Sequence, residues 1–221
     1  MSTHVRQHDS VLANSEKRAL IWIARRLPRW INSDHLSALG LSAMATAGLS
    51  FYYARWNPAV GLLLVVASLF ANWFGDSLDG TVARVRDQQR PRYGYYVDHV
   101  IDLAGTAMLF TGLAASGFMT PLVAALVVAA FFLVSAEAYL ATHARGVFTM
   151  AFLGIGPTEL RILMATGALF LINTPIVRPF GLGEVKLFDI GGVVGAAGMV
   201  VTFIITSANN VRALYAEERL Q

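Results

Sequence analysis

Six apolar stretches, each close to the length of a membrane span, constrain this chain of 221 residues more than any other feature. The hydrocarbon core of a bilayer is about 30 Å thick, and a helix of about 20 mostly apolar residues crosses it. Candidate stretches run roughly from Leu36 to Tyr53, Ala59 to Leu78, Tyr95 to Ala115, Pro121 to Thr142, Pro157 to Ile172 and Ile190 to Ala208, the fifth being the shortest. Lipid offers peptide groups no hydrogen-bond partner, so open spanning segments of this kind are helices. The expected fold is therefore all-α: a polytopic membrane protein with six transmembrane helices. Composition agrees, because 56% of residues are hydrophobic and only 14% charged, too few polar residues to cover a two-domain soluble enzyme or to keep a chain disordered. With no cysteine, a disulfide scaffold, a thiol nucleophile and Cys-based zinc sites are excluded. The apolar excess makes membrane lipids, and no nucleic acid, the expected surroundings of a chain whose net charge is +3.

Before the first span, Ala19, Leu20, Ile21, Ile23, Ala24 and Leu27 alternate with Lys17, Arg18, Arg25, Arg26 and Arg29, joined by Trp22 and Trp30. This pattern predicts a basic amphipathic helix in the headgroup layer. Residues 1–35 then form a cytoplasmic N-terminal segment, and residues 36–221 a single six-helix transmembrane domain. The polar start, Met1 to Ser15, has no apolar run of the kind a cleavable signal requires. Lys and Arg orient the spans: fourteen fall before span one, between spans two and three, beside the turn between four and five, and after span six. The opposite side holds only Arg55, Arg178 and Lys186. By the positive-inside tendency, both termini and the 79–94 connection face the cytoplasm of a cell or inner membrane.

Against this background four carboxylates stand out. Asp76 and Asp79 lie near the end of span two, and Asp98 and Asp102 near the start of span three. Spacings of three and four put each pair on one helical face. The spans are consecutive and joined by a short connection, so the pairs share a depth. Ionisable groups in membrane helices are costly and usually functional. Four carboxylates held together repel unless cations neutralise them. Hard divalent ions suit such ligands, and Mg²⁺ typically combines carboxylates with substrate phosphates. The residues thus point to a one- or two-metal site, open to the cytoplasm, for a phosphorylated substrate. Gly75, Gly80 and Gly94 flank the pairs and permit close backbone approach by a ligand, and the Arg84 guanidinium is suited to gripping a phosphate.

Read as one string, Asp76-x2-Asp79-Gly80-x2-Ala83-Arg84-x9-Gly94-x3-Asp98-x3-Asp102 resembles the signature of the CDP-alcohol phosphotransferase (CDP-alcohol phosphatidyltransferase) family. The resemblance implies displacement of CMP from a CDP-alcohol by attack of a second alcohol's hydroxyl on the β-phosphorus. It implies Mg²⁺ or Mn²⁺, with two ions held by Asp76, Asp79, Asp98 and Asp102, and Asp102 as general base. It implies a nucleotide site formed by Asp76, Asp79, Gly80, Ala83, Arg84 and Gly94. The donor it implies is a CDP-alcohol, with CDP-diacylglycerol foremost, the acceptor a small alcohol, and the common assembly of such enzymes a homodimer.

Other polar residues are candidates for an acceptor pocket. His99 follows Asp98 directly, as in the choline and ethanolamine branch of that family, although a helix residue turned aside from the Asp98/Asp102 face reads equally well. Gly156-Pro157-Thr158-Glu159 opens span five; Glu159 is a pocket candidate, and Arg161 with Arg145 suits a phosphate-bearing acceptor or plain positive-inside anchoring. In span four, Ser135, Tyr139 and His143 form a polar stripe at four-residue spacing, with Glu137 directed elsewhere. Two further readings compete with the enzyme. One is a divalent-cation transporter using the same aspartates, which predicts acidic residues near the midplane in both halves of the chain; here spans four to six hold no counterpart cluster. The other is a structural membrane protein, which leaves the aspartates unexplained.

Overall fold

The structure, a computed structural model, describes residues 13–146, 157–178 and 183–218. Within them are seven helices: α1 (Ala13–Arg26), α2 (Ser33–Tyr53), α3 (Pro58–Val85), α4 (Pro91–Ser116), α5 (Pro121–Arg145), α6 (Pro157–Leu171) and α7 (Leu187–Glu217). Two short antiparallel strands, β1 (Ile176–Val177) and β2 (Val185–Lys186), precede α7. Arg6, Gly156 and Arg219 lie outside the described residues.

Local chemistry sets the helix ends. Proline occupies the first turn of α3, α4 and α5, where its missing N–H removes no helical bond. At the start of α2, Asn32 Oδ1 accepts from the His35 amide at 2.9 Å while His35 Nδ1 accepts from the Asn32 amide at 3.3 Å. Gly117 and Gly146 close α4 and α5 at φ of 85° and 68°, a conformation that favours glycine.

The all-α expectation holds, and α3, α4, α5 and α7 are long and apolar enough to cross a membrane. The first and fifth expected spans coincide with α2 and α6, which fall outside that group. With 15 residues, α6 reaches only about 22 Å at 1.5 Å per residue. The 21 residues of α2 open on Ser33, Asp34 and His35 and are diluted by Gly, Ser and Thr.

Two further expectations change. Span two does not end near Leu78, because α3 continues to Val85 and α4 begins at Pro91, which shortens the connection to 86–90. The extra turns are covered from outside: Leu78 and Val82 are fully buried in a cluster with Leu20 and Ala24 of α1 and Leu36 of α2. The amphipathic α1 thus spends part of its apolar face on protein, while Trp22 and Trp30 remain exposed. Arg86 secures it, donating to the carbonyl oxygens of Leu27 (2.9 Å), Pro28 (3.1 Å) and Ile31 (2.5 Å) just beyond the α1 terminus.

The helices follow one another around the bundle in the order α3, α2, α4, α5, α7, α6, and α6 returns to α3. Although consecutive, α3 and α4 scarcely touch, since each packs along α2 instead. Glycines permit that closeness. A Cβ at Gly112 of α4 would stand 2.0 Å from the Gly48 carbonyl oxygen of α2, and one at Gly75 of α3 would stand 2.5 Å from the Leu36 carbonyl oxygen. Small residues at such crossings let helix backbones meet. Gly112→Ala should therefore destabilise the bundle by about 1–3 kcal/mol through overpacking, read as a lower melting temperature in detergent. Gly94→Ala, where a Cβ meets nothing within 4 Å, should leave it unchanged.

Candidate active site

The site is built at the C-terminal part of α3 and the N-terminal part of α4. Asp76 and Asp79 stand one turn apart on α3, and Asp98 and Asp102 one turn apart on α4. All four are partly buried. Asp79 feels the charges of Asp76 and Asp98, and Asp102 feels those of all three other aspartates and of Arg161. Although α3 and α4 are consecutive, α2 stands beside both and keeps them from packing on each other.

Specific bonds hold the α3 pair. Asp76 Oδ2 accepts from Arg161 Nη2 of α6 at 2.6 Å, an ion pair with side chains 26% and 16% exposed. Arg161 Nε donates to Asn72 Oδ1 at 2.7 Å, and Asn72 Nδ2 donates to the Gly40 carbonyl at 3.0 Å, which links α6, α3 and α2 in one chain of bonds. Asp79 accepts from Ser37 Oγ of α2 at 2.6 Å and from the Gly80 amide. Arg145 is tied elsewhere: its Nη1 donates to Asn210 Oδ1 of α7 at 2.5 Å, and Asn210 Nδ2 donates to Glu137 Oε1 at 2.6 Å. That network gives Glu137 its direction, toward α7.

The remaining motif residues divide by surroundings. Arg84 is exposed, donates to Thr81 Oγ1 at 3.1 Å, and lies over Gly80, where a Cβ would come 3.2 Å from its Nη1. Ala83 is partly buried beside it, and Gly94 is exposed with open space around it. Gly75 differs from expectation: the room left by its missing side chain is filled by α2, so it serves helix packing rather than ligand approach. His99 is 7% exposed, its Nδ1 donating to the Tyr95 carbonyl at 2.6 Å and its ring lying between Tyr95 and Tyr139. Glu159 is partly buried two residues before Arg161.

Four contributors were not legible as such in the sequence. Asn72 lies one turn before Asp76, and a polar amide on the aspartate face of an apolar helix was its available signal. Ser37, from another helix, offered none. Glu16 of α1 accepts from Trp73 Nε1 at 2.7 Å and Thr158 Oγ1 at 3.0 Å, binding α1 to α3 and to the first turn of α6. Tyr139 stood out only as part of a stripe, yet its ring packs against His99, the neighbour of Asp98.

In donor chemistry the four carboxylates suit a hard divalent ion. Among the described residues, however, no three His, Asp or Glu side chains stand close enough together to hold an ion in their present rotamers. Asp76 is spent on Arg161, and Asp79 on Ser37 and Gly80.

Long apolar helices with carboxylates and a paired guanidinium among them mark an integral membrane protein with a charged cluster between its helices. The CDP-alcohol phosphatidyltransferase family model matches residues 32–204, and the chain belongs to that family. It is accordingly a CDP-alcohol phosphotransferase, an enzyme of phospholipid head-group transfer. Among solved structures, it is similar to a phosphatidylinositol phosphate synthase of Mycobacterium tuberculosis with CDP-DAG bound. The likeness has a TM-score of 0.59 at 22% identity and covers 92% of this chain and 99% of that one, which establishes a shared fold. No curated protein matches the chain.

The Asp76–Arg161 pair makes a direct prediction. Asp76→Ala and Arg161→Ala should each lower the melting temperature, because removing one partner leaves the other poorly compensated. The double variant should lose less than the sum, with a coupling of about 0.5–3 kcal/mol; strictly additive losses would show that the pair is not coupled.

Proposed function

We propose that this enzyme transfers a phosphatidyl group from CDP-diacylglycerol to the hydroxyl of a small alcohol and releases CMP. The Asp76–Arg161 ion pair at 2.6 Å, within a region that matches the family model and also holds Asp79, Asp98 and Asp102, carries this reading. The similar synthase with CDP-DAG bound supports the choice of donor. Asp76, Asp79, Asp98 and Asp102 would hold Mg²⁺ or Mn²⁺, which supplies positive charge to a diphosphate and to the leaving CMP. With Asp76 holding such an ion, the Arg161 guanidinium would be available to a phosphate on the acceptor, such as glycerol phosphate or inositol phosphate. Asp79, Gly80, Ala83, Arg84 and Gly94 form the nucleotide side: Arg84 reaches phosphate, and Gly94 leaves room for the base and ribose. Asp102 takes the proton of the attacking hydroxyl. Glu159 and His99 stand at the edge of the acceptor region, and Arg145 braces α5 against α7.

The wider setting belongs to the same proposal. All six of α2 to α7 lie within the membrane, with α1 along its surface. The excess of Lys and Arg orients the termini and the aspartates to the cytoplasm. The enzyme works as a homodimer. Neither the family nor the fold favours the transporter reading.

The test is direct. Purified protein, CDP-diacylglycerol and Mg²⁺ are incubated with a panel of alcohols, and CMP and the lipid product are followed by mass spectrometry. CMP should appear with one acceptor class and vanish with a chelator. Asp102→Asn should lower kcat by roughly 10²–10⁴-fold with little change in donor KM. Arg84→Ala should raise donor KM about tenfold, the effect of losing about 1.4 kcal/mol. Full turnover by Asp102→Asn would remove the base assignment.

A further inference from the structure

We infer that the Tyr139 hydroxyl is a second contact for the acceptor alcohol, opposite Asp102; the inference rests on the phosphotransfer reading above. Tyr139 sits near the C-terminal end of α5, where its ring meets His99 of α4, the residue that follows Asp98. Its phenol oxygen is buried and has no hydrogen-bond partner among the described residues. Ser135, one turn earlier on the same face and 1% exposed, lies near enough to interact with the phenol, but its own hydroxyl is equally without a bond of acceptable geometry.

The ring, by contrast, is firmly held. His99 meets it edge-on, with centroids 4.8 Å apart and planes at 75°, and Tyr95 meets it at 6.5 Å and 72°. His99 is itself fixed by stacking on Tyr95 at 4.1 Å and by its bond to the Tyr95 carbonyl. Packing alone therefore fixes the ring against the α4 face that carries Tyr95, His99 and, one turn on, Asp102. An unmatched buried hydroxyl costs about 1–3 kcal/mol, so a position that keeps one calls for a partner supplied from outside.

An attacking alcohol is such a partner. Its oxygen must give a proton and hold still while it attacks. Asp102 is an acceptor only, and the neutral phenol is a donor. An alcohol oxygen set between them donates to the carboxylate and accepts from the phenol, leaving a lone pair for phosphorus. The new oxygen–phosphorus bond forms as the bond to CMP breaks; CMP departs with that electron pair, the alcohol proton passes to Asp102, and Tyr139 keeps its own. The polar stripe of α5 thereby acquires a use that helix packing does not give it.

Tyr139→Phe removes one oxygen and retains the ring, and losing an unpaired buried hydroxyl does not cost stability. The expected result, with CDP-diacylglycerol as donor and glycerol phosphate or inositol phosphate as acceptor, is a fall of roughly three- to tenfold in kcat/KM for the acceptor. Donor KM and melting temperature should match the wild type. Acceptor kcat/KM at the wild-type level in Tyr139→Phe would overturn the inference, as would a fall accompanied by equal losses in donor KM and melting temperature, the mark of a structural role. Ser135→Ala, kinetically near the wild type, should separate the phenol from its neighbour; a loss as large as that of Tyr139→Phe would contradict a contact specific to Tyr139. A wild-type enzyme that forms no CMP with any acceptor overturns the phosphotransfer reading itself, and this inference with it.

Discussion

Four carboxylates cannot be gathered among apolar helices without a counter-charge, and the arrangement of this protein follows from that requirement. At an effective dielectric of 20, like unit charges about 4 Å apart oppose each other by about 4 kcal/mol. The Arg161 guanidinium answers this from α6, paired with Asp76 and braced by Asn72. Its own helix is short and is fastened at its first turn by Thr158 to Glu16, which also holds Trp73 of α3. The N-terminal helix, the aspartate helix and the arginine helix are thus mechanically one unit, and their shared purpose is to keep opposite charges in register.

A second constraint sets the gap those charges face. Glycine-to-backbone crossings bind α2 tightly to α3 through Gly75 and to α4 through Gly48 and Gly112. With α2 between them, α3 and α4 do not close on each other. The helix ring then brings α5 and α6 to the remaining sides, with Tyr139 and Arg161 near the same carboxylates. The groups so gathered differ in charge and hydrogen-bonding capacity.

How much of this the sequence discloses depends on whether the signal is local. The helices α2 to α7 follow from apolar runs bounded by proline and glycine, and the aspartate faces from spacings of three and four. The extension of α3 to Val85 was hidden because its cover, Leu20 and Ala24, comes from a helix whose apolar face read as lipid-directed. Gly75 carried the right residue type for ligand approach, yet only the neighbouring helix reveals that its space is occupied. Arg86 read as one more basic residue of the cytoplasmic loop, whereas it caps the turn after α1. Ser37 and Glu16 reach the site or its supports across 42 and 142 residues of chain, and nothing in their own neighbourhoods marks them.

The claim beneath all of this is that α3 and α4 jointly make one cation site. Electron paramagnetic resonance titration of Mn²⁺ into purified protein tests it without reference to turnover. Asp79→Asn on α3 and Asp98→Asn on α4 should each weaken Mn²⁺ binding by about tenfold or more, the effect of about 1.4 kcal/mol. Binding unchanged in both variants, or lost only when one of the two helices is altered, would contradict it.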